Sequence, residues 1–105
     1  MRLLNKKKKN KSLYPTTLKI GPYVFSISIS PDICDIGSCV YDNKKILLNE
    51  SCDSQTIKST LLHEILEALN IMYELNLPHQ TISILEAGIF QVLRDNNLSL
   101  LDDLK

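Results

Sequence analysis

Apolar and polar positions alternate early in the chain with a period of two. Tyr23, Phe25, Ile27 and Ile29 fall on one side, and Val24, Ser26, Ser28 and Ser30 on the other, the pattern of a half-buried strand. Thr17, Leu18, Lys19 and Ile20 precede this run across Gly21 and Pro22, so the two segments predict a pair of antiparallel strands. Residues 31–38, with their Pro, Asp, Gly and Ser, read as a loop. Cys39, Val40 and Tyr41 then face residues 45–49 across Asp42, Asn43 and Lys44, a hairpin-like turn that brings the sheet to three or four strands.

The period then changes. From Asp53 or Ser54, either a good N-cap, a helical pattern runs without Gly or Pro to about Leu75, where Asn76, Leu77 and Pro78 stop it. Pro78 suits the first position of a second helix, which runs to Arg94 and is closed by Asp95, Asn96 and Asn97. Residues 99–105 have room for one short turn. Strands followed by helices predict an α+β domain, a small antiparallel or mixed sheet packed against two long antiparallel helices. No internal repeat is visible. The expected organisation is a basic arm over residues 1–14, one domain over 15–97 and a tail over 98–105.

Composition changes this picture little. A chain of 105 residues with 44% hydrophobic and 23% charged residues supports one core and excludes collagen-like, low-complexity and wholly disordered classes. No apolar run approaches the ~18 residues of a membrane span, and no apolar stretch follows the basic N-terminus as in a secretory signal. The expected compartment is therefore the cytoplasm, with no membrane partner. Charge is more informative. Twelve cations balance twelve acids, but Arg2, Lys6, Lys7, Lys8, Lys9 and Lys11 occupy the first eleven residues, so the remainder holds six cations against twelve acids, a net −6. The arm reads as a solvated tail able to touch phosphates, and the acidic body argues against a nucleic-acid-binding domain. Cys34, Cys39 and Cys52 are odd in number and lack paired C-x-x-C spacing, so they read as reduced thiols, not a disulfide framework or zinc ribbon.

Candidate chemistry lies on the helices. His63 and Glu67 are four residues apart and share a helical face, near enough to hold one metal ion, with Glu64 one step round the helix. Two ligands on successive turns beside a carboxylate suit a metal-assisted hydrolase. The competing reading is a solvated stripe of Ser59, Thr60, His63, Glu67, Asn70 and Glu74, opposite an apolar arc of Ile57, Leu61, Leu62, Ile65, Leu66, Leu69 and Met72. The second helix shifts the balance, because Glu86 sits inside an apolar arc of Ile82, Leu85, Ile89, Phe90, Val92 and Leu93. A carboxylate on a packing face needs a cation, a hydrogen-bond partner or a metal. His79 lies two turns earlier on nearly the same line, so His63, Glu67, His79 and Glu86 converge as candidate ligands.

The residues Ile46-Leu47-Leu48-Asn49, followed by Thr60-Leu61-Leu62-His63-Glu64-Ile65-Leu66-Glu67 and by Val92-Leu93-Arg94-Asp95-Asn96, resemble the small phage-encoded zincin-like metallopeptidase domains over roughly residues 17–97. The resemblance implies a minimal zincin fold, peptide-bond hydrolysis and one divalent metal, zinc foremost. It makes His63 the first ligand, Glu64 the general base and Glu67 the second ligand, in place of the second histidine of H-E-x-x-H. In gluzincins a glutamate further along the chain is the third ligand, and Glu86 follows Glu67 by nineteen residues; His79 competes for that role. By the same likeness residues 45–49 would be the edge strand that aligns substrate. The extra carboxylate weakens Lewis acidity and makes manganese or iron more credible occupants. If His79 joins as a fourth ligand, the site becomes structural. The altered motif also suits a second class, a non-catalytic phage or mobile-element interaction module. A third possibility is a DNA-associated factor acting through Lys6, Lys7, Lys8 and Lys9.

Overall fold

A computed structural model describes residues 16–31 and 36–98. The basic arm over residues 1–14, Cys34 and the short turn expected over residues 99–105 lie outside the described residues. The rest is an α+β arrangement of four strands and two helices. The strands are β1 (Thr17–Ile20), β2 (Tyr23–Ser30), β3 (Gly37–Val40) and β4 (Lys45–Asn49), and the helices α1 (Ser54–Met72) and α2 (His79–Asp95).

The predicted hairpins form. Gly21, with φ +58°, starts the two-residue turn that pairs Ile20 with Tyr23, a backbone shape that glycine adopts without steric cost. Between β3 and β4 a single 3-10 turn (Tyr41–Asn43) ends on Lys44 in the left-handed region. Its ammonium packs over the Tyr41 ring at 4.1 Å and the Tyr23 ring at 4.6 Å.

The strand order is β1-β2-β4-β3, with β2 and β4 parallel and the other two pairs antiparallel. This corrects one expectation. Lys45–Asn49 is an interior strand, bonded to β2 on one side and β3 on the other, so its backbone cannot accept a substrate strand. The edge on that side of the sheet is β3, because its hairpin folds outside β4.

One sheet face is covered by α1. Ile20, Phe25, Ile27, Ile46 and Leu48 from the sheet bury against Ile57, Leu61 and Ala68, each large side chain contributing about 1.5–3 kcal/mol on burial. The packed line of α1 also contains Thr60 and Glu64, at 4% and 6% exposure. The expected division of α1 therefore needs correction: Thr60 leaves the polar stripe for the core, while Leu62, Ile65, Leu66, Leu69 and Met72 are only partly buried. Gly37 explains how β3 comes so close, since a Cβ there would meet Thr60 Cγ2 at 2.4 Å and the Leu47 carbonyl oxygen at 3.1 Å. Gly37→Ala is expected to cost about 1–3 kcal/mol by overpacking, read as a lower denaturation midpoint.

Asp53 caps α1 by accepting the Thr56 N–H at 2.8 Å, and hydrogen bonding from the Thr56 side chain, then from this N–H, holds its carboxyl below the usual carboxylate range. The helix stops at Met72, short of the expected Leu75, because Glu74 and Asn76 take positive φ. Asn70, expected on the solvated stripe, clamps the loop: its side chain donates to the Leu77 carbonyl at 3.1 Å and accepts the Leu77 N–H at 3.0 Å. Pro78 is the N-cap of α2 and not its first helical residue, and α2 runs one residue past Arg94.

The apolar arc of α2 is less buried than its sequence suggests. Ile82 is buried, but Leu85, Ile89 and Val92 are 40%, 38% and 47% exposed. The reason is that α2 packs mainly on α1, so one neighbouring helix covers only part of the arc. Among the described residues no helix is long and apolar enough to cross a membrane.

Candidate metal centre

His63 sits one position before the buried Glu64, and ~100° per residue turns it from the sheet toward α2. Four residues later Glu67 returns to the same face, and its Oε2 lies 3.2 Å from His63 Nε2. From the other helix His79 brings Nδ1 to 3.1 Å from that same Glu67 oxygen, and the two imidazole rings lie 5.0 Å apart. His63, Glu67 and His79 each offer one ligand atom, and these atoms lie within 4.8 Å of one another.

Glu86 joins the group differently. Its Oε1 is 3.0 Å from His63 Nδ1, the ring nitrogen not facing Glu67, and its Oε2 accepts the Ser59 hydroxyl proton. A carboxylate on the far nitrogen of a histidine is the arrangement that orients a metal-ligating imidazole. A hydroxyl, Ser83 Oγ, lies 3.4 Å from His79 Nε2. Both histidines are thus tied to oxygen groups on each side. The His63, Glu67 and Glu86 side chains are 13%, 25% and 22% exposed, whereas His79 is 73% exposed, so access to the group is from the His79 side.

No protein-family model, curated protein or solved structure matches this chain.

The group opens on a cleft of about 1060 Å³, lined among others by Ser59, His63, Glu64, His79, Ser83, Glu86, Phe90 and Arg94. Glu64 reaches this cleft from the core side. Burial pushes its carboxyl up to about 7, with the charges of Glu67 and Glu86 adding to the shift and those of His63 and His79 opposing it. Three carboxylates therefore stand together, and Arg94 is the one Lys or Arg among the described residues lining the cleft. Gathering half-buried acids with so few cations is costly, and a divalent cation is a charge of the right sign for the donors present: two imidazoles and a carboxylate suit zinc, manganese or iron.

All five residues singled out in the sequence thus border one region, three as ligand-capable donors, Glu86 behind His63, and Glu64 on the inner wall. Sequence reasoning missed Ser83, although its i+4 spacing from His79 was available. It also missed Ile36 and Gly37, which line the cleft from the sheet edge and needed the strand order to be found. Cys39 and Cys52 are free thiols. Burial, and then the charges of Glu64 and Glu67, push the Cys39 thiol up to about 11 against the opposing pull of Lys44. In the metal-free chain it is therefore protonated at neutral pH.

Proposed function

We propose that the domain is a minimal zincin-like, metal-dependent peptidase in which two antiparallel helices hold one divalent cation through His63, Glu67 and His79. The observation that carries this reading is the 4.8 Å cluster of donor atoms from three residues on two helices. Glu86 acts behind His63, fixing the ring through Nδ1 and held itself by Ser59. Zinc is the first candidate, and manganese or iron follow because Glu67 stands where the resembled motif has histidine.

A bound cation would supply Lewis acidity toward a peptide carbonyl and toward water. The chain's own residues supply the proton handling. Glu64, on the inner wall of the cleft beside His63, is the carboxylate placed to accept a proton from water and pass it to a leaving amine. Ser83 and Glu86 restrain the two imidazoles, so their rings keep one orientation as the charge beside them changes.

A second reading is favoured by the exposed apolar residues Ile84, Leu85, Ile89 and Val92 of α2, which suit an interaction module of phage or mobile-element type. Two measurements separate these. Protein purified without chelator is expected to contain about one equivalent of zinc, manganese or iron and to melt higher than its chelated form. Glu64→Gln is expected to keep that metal while losing peptide hydrolysis. Absence of stoichiometric metal, with a melting temperature that ignores added cations, sinks the metal-centre reading.

A further inference from the structure

The cleft has a second pole that the metal-centre reading does not use. His79, Ser83, Glu86, Phe90 and Arg94 all line it, and their spacings of four, three, four and four residues keep them on one face of α2. The acids gather at the His79 end. Arg94 stands at the other, eight residues beyond Glu86, about 12 Å along the helix at ~1.5 Å per residue. Phe90 supplies an apolar wall between the poles, and Gln55 and Thr56, from the first turn of α1, line the same cleft.

Resting on the metal-centre reading, we infer that Arg94 is a specificity subsite for a substrate carboxylate, either an acidic side chain or the C-terminus of a peptide. Arg94 Nε donates to Asp95 Oδ1 at 3.1 Å, and Asp95 in turn accepts from Gln91 Nε2 at 2.9 Å. This holds the inner edge of the guanidinium, and the terminal amino groups form the fork that matches a carboxylate bidentately. The Arg94–Asp95 pair is about half exposed on both sides, and such a pair is worth too little to cancel the arginine's attraction for a second anion. Charge then sets position: at the metal centre Glu64, Glu67 and Glu86 already offset a bound cation, and Arg94 is the remaining basic side chain among the described residues lining the cleft. At ~3.3 Å per extended residue, the fifteen residues from the ligand His79 to Arg94, about 22 Å along the helix at ~1.5 Å per residue, place that carboxylate about six or seven residues from the bond held at the metal centre.

A set of molecular rulers tests this. Hydroxamate-capped oligoalanines of about one to nine residues, ending in a free carboxylate, in an amide, or in an aspartate amide, are titrated by calorimetry into the zinc-loaded full chain. The free acid is expected to bind about tenfold tighter than its amide at about six to eight residues and equally at one, and the gain is expected to shrink to within about twofold in Arg94→Gln. An aspartate amide that matches the free acid identifies a side-chain carboxylate as sufficient; one that matches the plain amide identifies the C-terminus as the recognised group. Acids and amides that bind alike at every length overturn the subsite and leave the metal centre standing. If no hydroxamate binds and no zinc is retained, the metal-centre reading falls, and the subsite falls with it.

Discussion

Glu64→Gln is expected to stabilise the metal-free protein at pH 8 by about 3 kcal/mol, from a carboxyl moved from its ordinary 4.5 to about 7 at 1.36 kcal/mol per pH unit. The sign follows from where the proton is bound. Burial at 6% exposure raises the folded-state value, so the folded chain keeps this proton over a pH range in which the unfolded chain has lost it. The stability contributed by protonated Glu64 is therefore complete below pH 4.5 and is lost as pH rises through about 7. A glutamine at this position is neutral at every pH and of nearly the same volume, so the variant should not show that decline. Denaturant titrations of chelated wild type and Glu64→Gln at about pH 5, 6, 7 and 8 give the difference directly. Curves that stay parallel across this range would mean that Glu64 is ionised without cost, and it would then be an ordinary surface acid unsuited to a base acting near neutrality.

The same residue shows where sequence reasoning stops. The alternation in Tyr23–Ser30 and the turns at Gly21 and Lys44 are local signals, and the hairpins they predict form. His63 and Glu67 are also a local signal, because four residues return to one helical face whatever the helix packs on. Glu64 is different. Its neighbourhood depends on which side of α1 meets the sheet, and that choice is made by Ile57, Leu61 and Ala68 packing on Ile46 and Leu48. The apolar arc drawn from sequence is too wide to decide it. The interior place of β4 is likewise non-local, since only the return of β3 to its outer side converts Lys45–Asn49 from a candidate edge into the middle of the sheet. In α2 the apolar arc is legible but its cover is not, for nothing along residues 79–95 says that a single helix will face it.

Separate substitutions at His79 and Glu86 should divide ligand from support. By spacing alone Glu86 is the natural third donor after His63 and Glu67, yet its two oxygens are engaged by Ser59 and His63 Nδ1, whereas His79 stands with the donors of His63 and Glu67. Loss of a true ligand removes a direct bond from a site whose full set is worth about 10–16 kcal/mol, so His63→Ala and His79→Ala are each expected to weaken zinc on the order of a thousandfold. Loss of an orienting carboxylate costs less, about 10–100-fold, and Glu86→Gln belongs in that class because the amide oxygen can still accept from His63 Nδ1–H. Competition with a chromophoric chelator measures all three affinities, and cobalt spectra give a second readout that a merely destabilised fold would not reproduce. The visible bands should change energy when a ligand is lost and keep their energy when only its support is altered. Were Glu86→Gln to abolish binding and shift the bands while His79→Ala left both intact, the glutamate nineteen residues beyond Glu67 would be the ligand. Metal entry would then have to pull Glu86 away from Ser59 and His63, turning the helix–helix hydrogen bonds of the free protein into the cost of binding.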